Sequence, residues 1–204
     1  DFTNYESKAM GRISLKTGIA VSCDTLWYKI AYSEWLKDGG LDPKSPNDYF
    51  FQVAHEFQLD KKTGIDLPGE LEGRIPDRQW KIDYWKQNKN FYCNYQQRAA
   101  KKDLTPFLIQ LAKENCIDGG VLRAGDAVNF SIGQGDTVVT PLQMAQVYSA
   151  IANGGKIFQP RIVKAIVSPE GKVIKRFTPK ISREISISPS LRSYLLTALR
   201  GVIT

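Results

Sequence analysis

Ser22, Cys23 and Asp24 place a hydroxyl, a thiol and a carboxylate immediately before a helix-forming run, a spacing that lets a serine and an acid act on the same proton or the same ligand. A second stretch, Ser131-Ile132-Gly133-Gln134-Gly135-Asp136, is a glycine-rich turn that can bring backbone N–H groups close to a bound group. It leads to Thr140-Pro141, a helix start, with Met144, Val147, Tyr148 and Ile151 at helical spacing beyond it. No Lys-Ser or Lys-Thr follows the glycines, so this turn is not a nucleotide phosphate loop. Taken locally, Ser22 before Asp24 is also a simple capping turn.

Three phrases in fixed order carry more than their local chemistry. They are Ser22-Cys23-Asp24, then Thr63-Gly64-Ile65-Asp66-Leu67-Pro68-Gly69-Glu70, then Gly125-Asp126-Ala127-Val128-Asn129-Phe130-Ser131-Ile132-Gly133-Gln134-Gly135. Together they resemble the class B penicillin-binding proteins, closest to the elongation-specific peptidoglycan D,D-transpeptidases, in which the first phrase is the second active-site motif, usually Ser-x-Asn. The resemblance implies an α+β fold of the penicillin-binding protein and serine β-lactamase kind. The chain would supply mostly its helical lobe, with a β-hairpin and a helix of the sheet lobe. It implies catalytic roles for Ser22 and Asp24, and a substrate-binding surface at Cys23, Gly133, Gln134 and Gly135. Asp24 stands where an Asn is usual; a carboxylate accepts hydrogen bonds but does not donate them unless protonated.

The same resemblance implies peptidoglycan stem peptides as substrates, β-lactam antibiotics as substrate mimics, and a membrane-embedded glycan polymerase of the elongation machinery as partner. It implies a membrane anchor, an extracytoplasmic catalytic region, and chemistry without cofactor or metal. Two other readings stay open: an inactive penicillin-binding-like sensor or scaffold, and a serine β-lactamase or D,D-carboxypeptidase on the same fold. The Thr63–Glu70 phrase argues for the synthase.

The family's nucleophile is the serine of a Ser-x-x-Lys pair, and no lysine here has a serine three residues before it. Its third motif is Lys-Thr-Gly or Lys-Ser-Gly on a strand. Lys16-Thr17-Gly18 and Lys62-Thr63-Gly64 have the letters but sit ahead of, or inside, the other phrases, and both read as decoys. Residues 1–204 are therefore expected to be an incomplete transpeptidase domain, with a segment at about 80–120 that resembles an insertion.

Composition narrows the remaining classes. The chain has 204 residues, enough for a sizeable core, and no run of about 20 apolar residues. Its net charge of +7 is spread along the sequence without a nucleic-acid-binding motif, so no nucleic-acid partner is expected. Cys23, Cys93 and Cys116 form no metal-ligand pattern, and the single histidine, His55, is expected on a helix surface without a partner. A Cys93–Cys116 disulfide is open to an extracytoplasmic protein, but the spacing alone does not establish it.

The elements that must position these residues follow from periodicity and punctuation. Helices are expected over Ile13 to Val21, from an Asp24 cap to about Leu36, over Asn47 to Phe57, and from Thr105 or Pro106 to Asn115, with Gly119-Gly120 as a stop. In the second of these, Leu26 and Ile30, with Tyr32 or Ser33, are expected to face inward; in the fourth, Pro106, Phe107, Leu108, Leu111 and Ala112. Residues 63–76 read as an ordered loop, with a further segment beginning at Asp77 or Arg78. The aromatics and lysines of residues 80–120 fit either a small satellite core or a surface that covers substrate or meets a partner. Ile157 to Val167 and Lys172 to Phe177 read as an antiparallel pair across Ser168-Pro169-Glu170-Gly171. Ser188-Pro189 caps a last helix with Leu191, Tyr194, Leu195, Ala198 and Leu199 inward.

Overall fold

The structure is a computed structural model and describes residues 3–4, 9–42 and 46–203. Helices α1 (Leu15–Ala20), α2 (Asp24–Lys37) and α3 (Tyr49–Glu56) come first. They are followed by α4 (Arg78–Cys93), the short α5 (Tyr95–Arg98), α6 (Pro106–Asp118), α7 (Ala124–Phe130) and α8 (Pro141–Asn153). Strands β1 (Lys156–Phe158), β2 (Ala165–Val167), β3 (Val173–Arg176) and β4 (Ile181–Glu184) precede α9 (Pro189–Arg200).

Most helix starts are where side-chain chemistry puts them. The hydroxyls of Thr105, Thr140 and Ser188 each accept the amide of the third residue on, Leu108, Gln143 and Leu191, at 3.2 Å. A proline follows each of them at the first helical position, where its missing N–H costs nothing. Asp77 caps α4 through Trp80 N–H at 2.7 Å. Asp24 departs from expectation. It is the first residue of α2, Cys23 occupies the cap position without a side-chain cap bond, and the Thr25 amide donates instead to Asn4 Oδ1 at 3.0 Å.

The buried faces are narrower than the apolar stripes suggest, because small residues lie at the closest approaches. Ala31 is the buried residue of α2, with Leu26 and Ile30 half-buried and Tyr32 and Ser33 exposed. In α6 the buried residue is Ala112, whereas Pro106, Phe107 and Leu111 are exposed. Gln143 and Ala150 are buried in α8, and Tyr148 faces out. In α9 it is Ala198, with Leu191 and Tyr194 exposed.

Phe51, Ala54, Ile75 and Leu122 form a core against which Trp35, Leu59 and Phe130 pack, and the rings of Phe51 and Phe130 stack at 4.3 Å. Trp35 Nε1 donates to Leu122 O at 3.1 Å, which ties the C-terminal end of α2 to the chain entering α7. Between α4 and α6, Trp85 Nε1 donates to Asn115 O at 2.7 Å. A side chain at Gly119 would put its Cβ 2.8 Å from the Trp85 ring. A disulfide joins Cys93, the last residue of α4, to Cys116 in α6, closing residues 93–116, with α5 among them, into one covalent loop.

The expected strand over Ile157 to Val167 is in fact two strands in different sheets. β1 pairs antiparallel with β4, which the sequence reading missed, and β2 pairs antiparallel with β3 across the expected turn. Pro160 lies between them, and the amides of Ile162 and Val163 are taken by the Asp66 carboxylate rather than by a strand, so the ladder cannot continue. α8 packs on β1 and on α9, and α9 packs on α1.

Among the described residues one polar side chain lies wholly inside. Gln143 is 1% exposed; its Oε1 accepts the Thr140 amide at 2.7 Å, and its Nε2 donates to Leu59 O at 3.1 Å and Lys61 O at 2.7 Å. Gln143→Ala would leave the Leu59 and Lys61 carbonyls and the Thr140 amide without this partner. It is expected to cost about 2–4 kcal/mol of stability: a buried group that loses its partner costs roughly 1–3 kcal/mol, and the exposed Lys61 segment can turn to water. The urea midpoint of the full-length protein measures this, and a change below about 0.5 kcal/mol would refute the clasp.

Candidate active site

Ser22 links α1 to α2 in the left-handed region, with φ 52°, although it carries a side chain. That backbone state costs roughly 1 kcal/mol or more and is held by the turn around it. The Val21 amide donates to Thr17 O at 2.9 Å and the Cys23 amide to Gly18 O at 2.9 Å. Gly18 is buried, and a Cβ there would lie 2.5 Å from Leu26 Cδ2. The Ser22 side chain is exposed, and its hydroxyl makes no hydrogen bond among the described residues. Cys23 is 4% exposed, with Sγ 3.4 Å from Thr25 Oγ1 and 3.7 Å from Asn4 Oδ1. Asp24 is half-buried on the face of α2 that carries Tyr28, whose phenol is raised by burial and then by the Asp24 charge.

The glycine-rich turn closes the C-terminal end of α7. The amides of Ile132, Gly133 and Gln134 donate to Asn129 O, Phe130 O and Asn129 O at 3.2, 2.9 and 2.9 Å, and Ser131 Oγ donates to Val128 O at 2.7 Å. These amides are therefore not available to a bound group, contrary to the expectation from sequence. The C-terminal end of a helix also carries partial negative charge, the wrong sign for binding a phosphate there. Gly133 and Gly135 have φ of 72° and 78°. A Cβ at Gly133 would meet open space and one at Gly135 only Asn129 Cβ at 3.5 Å, so both glycines serve the backbone conformation and not a tight approach to a neighbour. Gly133, Gln134 and Gly135 are all exposed.

Ser22 to Asp24 open α2, Ser131 to Gly135 close α7, and these two helices pack on each other. Trp35, near the C-terminal end of α2, donates to the carbonyl of Leu122 just ahead of α7, and Ala31, Trp35, Leu122 and Ala127 line one small cavity.

The Thr63–Glu70 phrase is a carboxylate-bound loop. Glu70 accepts the amides of Thr63 at 2.7 Å and Gly64 at 2.9 Å and the Thr63 hydroxyl. Asp66 accepts the amides of Ile162 at 2.7 Å and Val163 at 3.1 Å, stapling the loop to the start of the hairpin. Both decoy triplets lie off any strand, Lys16-Thr17-Gly18 within α1 and Lys62-Thr63-Gly64 within this loop. Amide donors from Ile162 and Val163 hold Asp66 below the usual carboxylate range. For Glu70, burial pushes upward, but the bonds from Thr63, Gly64 and Ile65 outweigh it and hold it low.

His55 is not the unpartnered surface residue expected. It is half-buried, with Nδ1 3.1 Å from Asp60 Oδ2 and Nε2 3.0 Å from Asp77 Oδ2. Asp77 as the evident cap of α4 was the one signal that could have located this bridge. Among the described residues no group of three or more His, Cys, Asp or Glu could hold a metal ion, and no helix is long and apolar enough to cross a membrane.

The family described as penicillin binding protein transpeptidase domain matches residues 1–203. Penicillin-binding protein H of Bacillus subtilis is 30% identical over 203 residues, covering 95% of this chain and 23% of that protein. Peptidoglycan D,D-transpeptidase MrdA of Salmonella typhimurium is 25% identical over 178 residues, covering 87% and 21%. A solved structure described as "Structural coordination of polymerization and crosslinking by a peptidoglycan synthase complex" superposes with a TM-score of 0.61 at 22% identity, covering 97% of this chain and 25% of that one. The α+β architecture is thus that of a penicillin-binding transpeptidase, and the chain spans 21–25% of the length of these three relatives.

The lowered carboxylates set a direction for pH. A depressed pKa contributes stability above the unfolded value, about 4, which is lost as pH falls through the folded value. The protection factors of the Ile162 and Val163 amides, each taken against the intrinsic rate at the same pH, should therefore be high at neutral pH and fall below about pH 4. Asp66→Ala should remove at least about tenfold of that protection at neutral pH. Unchanged exchange at both amides in the variant would show that the loop is not held to the hairpin through Asp66.

Proposed function

The chain belongs to the penicillin-binding protein transpeptidase family, and from that premise we propose that the complete protein is a class B, elongation-type peptidoglycan D,D-transpeptidase. The observation that carries the reading is the exposed Ser22 hydroxyl on a strained, left-handed backbone at the entry to α2, the helix that packs on α7, which the glycine-rich turn closes. Strain of that kind persists where a side chain must be aimed.

In this reading the nucleophile belongs to a Ser-x-x-Lys pair outside residues 1–204. Its oxygen attacks the carbonyl of the penultimate D-alanine of a stem peptide, and backbone amides stabilise the oxyanion. The C–N bond to the terminal D-alanine breaks, and the leaving amine takes a proton. Ser22 hydrogen-bonds the lysine amine and relays that proton. An amine of a neighbouring stem then attacks the ester, forming the cross-link and freeing the serine. β-Lactams enter the first half of this cycle and stop at the acyl-enzyme.

Asp24, at the first turn of α2, accepts hydrogen bonds from the lysine or from a substrate amide. Cys23, between Ser22 and Asp24, contributes to the substrate-binding surface through its backbone, its thiol being buried. Gly133, Gln134 and Gly135 form the lower edge of the cleft. Extracytoplasmic placement accords with the Cys93–Cys116 disulfide, since such bonds persist in oxidising compartments. A membrane anchor and a membrane-embedded glycan polymerase complete the assembly, and residues 80–120 are an insertion within the domain.

Ser22→Ala in the full-length protein should slow acylation by a fluorescent penicillin by roughly 10²- to 10⁴-fold, the scale of a positioned proton-transfer group, with little change in unfolding midpoint. Stopped-flow labelling decides it. A rate within about threefold of the parent would remove Ser22 from the proton relay.

A further inference from the structure

Arg74 is held on three sides beside the glycine-rich turn. Its backbone makes a β-bridge with Val138, donating N–H to Val138 O at 2.6 Å and accepting from Val138 N at 3.1 Å. Its Nε donates to Asp136 O at 2.7 Å, one residue beyond Gly135. The guanidinium carbon lies 5.2 Å from the centroid of the Trp80 ring, which itself stacks on Tyr84 at 4.8 Å. A guanidinium held this way has already lost much of its rotamer freedom, so a ligand need not order it.

What the guanidinium lacks is a counter-charge. Neighbouring cations are paired, Arg78 with Asp48 at 3.0 Å and Lys81 with Asp126 at 2.5 Å. Arg74 has no carboxylate within ion-pair distance among the described residues, and both its Nη groups keep their N–H donors. The Trp80 indole N–H likewise has no acceptor among them. The turn beside it offers little to an anion, because three of its amides are spent on closing α7. An anionic group passing over Gly133 to Gly135 needs a cation from elsewhere, and Arg74 is the one braced there.

We propose that Arg74, backed by Trp80, is a substrate-positioning residue that reads a carboxylate in the body of the stem peptide, apart from the terminal D-alanine. This rests on the transpeptidase reading and names which part of that substrate lies over the turn. The planar fork matches a carboxylate through two parallel N–H···O bonds, which a lysine at the same place could not form.

The test is equilibrium binding to the full-length protein of a blocked stem tripeptide, N-acetyl-L-alanyl-γ-D-glutamyl-L-lysine amide, against its counterpart with the glutamyl carboxyl as carboxamide. Calorimetry gives affinity, and the NMR signal of the Trp80 indole N–H reports the place. The parent should prefer the carboxylate about tenfold to hundredfold, the range of a charge-assisted bidentate contact. Arg74→Ala should abolish the preference. Arg74→Lys, which keeps the charge and the ring contact, should retain only part of it. Equal affinity of the parent for both peptides, or a preference that survives Arg74→Ala, overturns the proposal. Penicillin labelling of the same samples reads catalysis separately: a carboxylate preference at the Trp80 signal without labelling supports the subsite and overturns only the transpeptidase reading.

Discussion

Three stretches of backbone cross with almost no room between them, and the buried Gln143 carboxamide is what makes that crossing tenable. A Cβ at Gly73 would lie 2.0 Å from Leu59 O and 2.8 Å from both Val138 O and Gln143 Oε1, so only glycine fits. Carbonyl groups brought that close repel one another and lose water together, and they need donors. Gln143 supplies two to the 59–61 segment while accepting the amide of Thr140, the cap of its own helix. The end of the α3 loop, the bridge that carries Arg74 and the start of α8 all meet at this point. The position of the glycine-rich turn relative to the hairpin descends from it.

How much of this was readable depends on whether a residue acts through the chain next to it or through chain far away. Thr140-Pro141, Thr105-Pro106 and Ser188-Pro189 declared their helices because cap and proline act within one turn. The order of the three phrases was readable for the same reason. Gln143 was not, because at the third position of a helix a glutamine reads as a capping-box partner, which it also is; nothing local shows that its other end spans 82 and 84 residues to Lys61 and Leu59. β4 was hidden because Ile181–Glu184 alternates no apolar face, its four residues all being exposed. The β-branched residues of Ile157 to Val167 read as one strand and concealed a break imposed by Asp66, 96 residues before Ile162.

The net charge of +7 sits on a surface where several acids are already engaged. Many of the acids are consumed internally: Asp66 and Glu70 on backbone amides, Asp60 and Asp77 on His55, Asp48 on Arg78 and Asp126 on Lys81. They act as connectors between segments that share little apolar contact. The surface that remains is rich in unpaired lysine and arginine, which favours anionic polymers in general without selecting one. Selection requires a cation whose geometry is fixed, and such cations are few.

The Cys93–Cys116 bond changes what damage means for this molecule. The exposed Ala100-Lys101-Lys102-Asp103 stretch lies inside the covalent loop, with two lysines that trypsin-like proteases recognise. A single cut there would sever the backbone yet release nothing, because both new ends remain tethered through sulfur. Trp85 would still sit on Asn115, and α4 would still lie against α6. In the reading that places this domain outside the cytoplasm, where hydrolases act and no new chain can be made, a nicked molecule would keep its fold and only a nicked and reduced one would lose it.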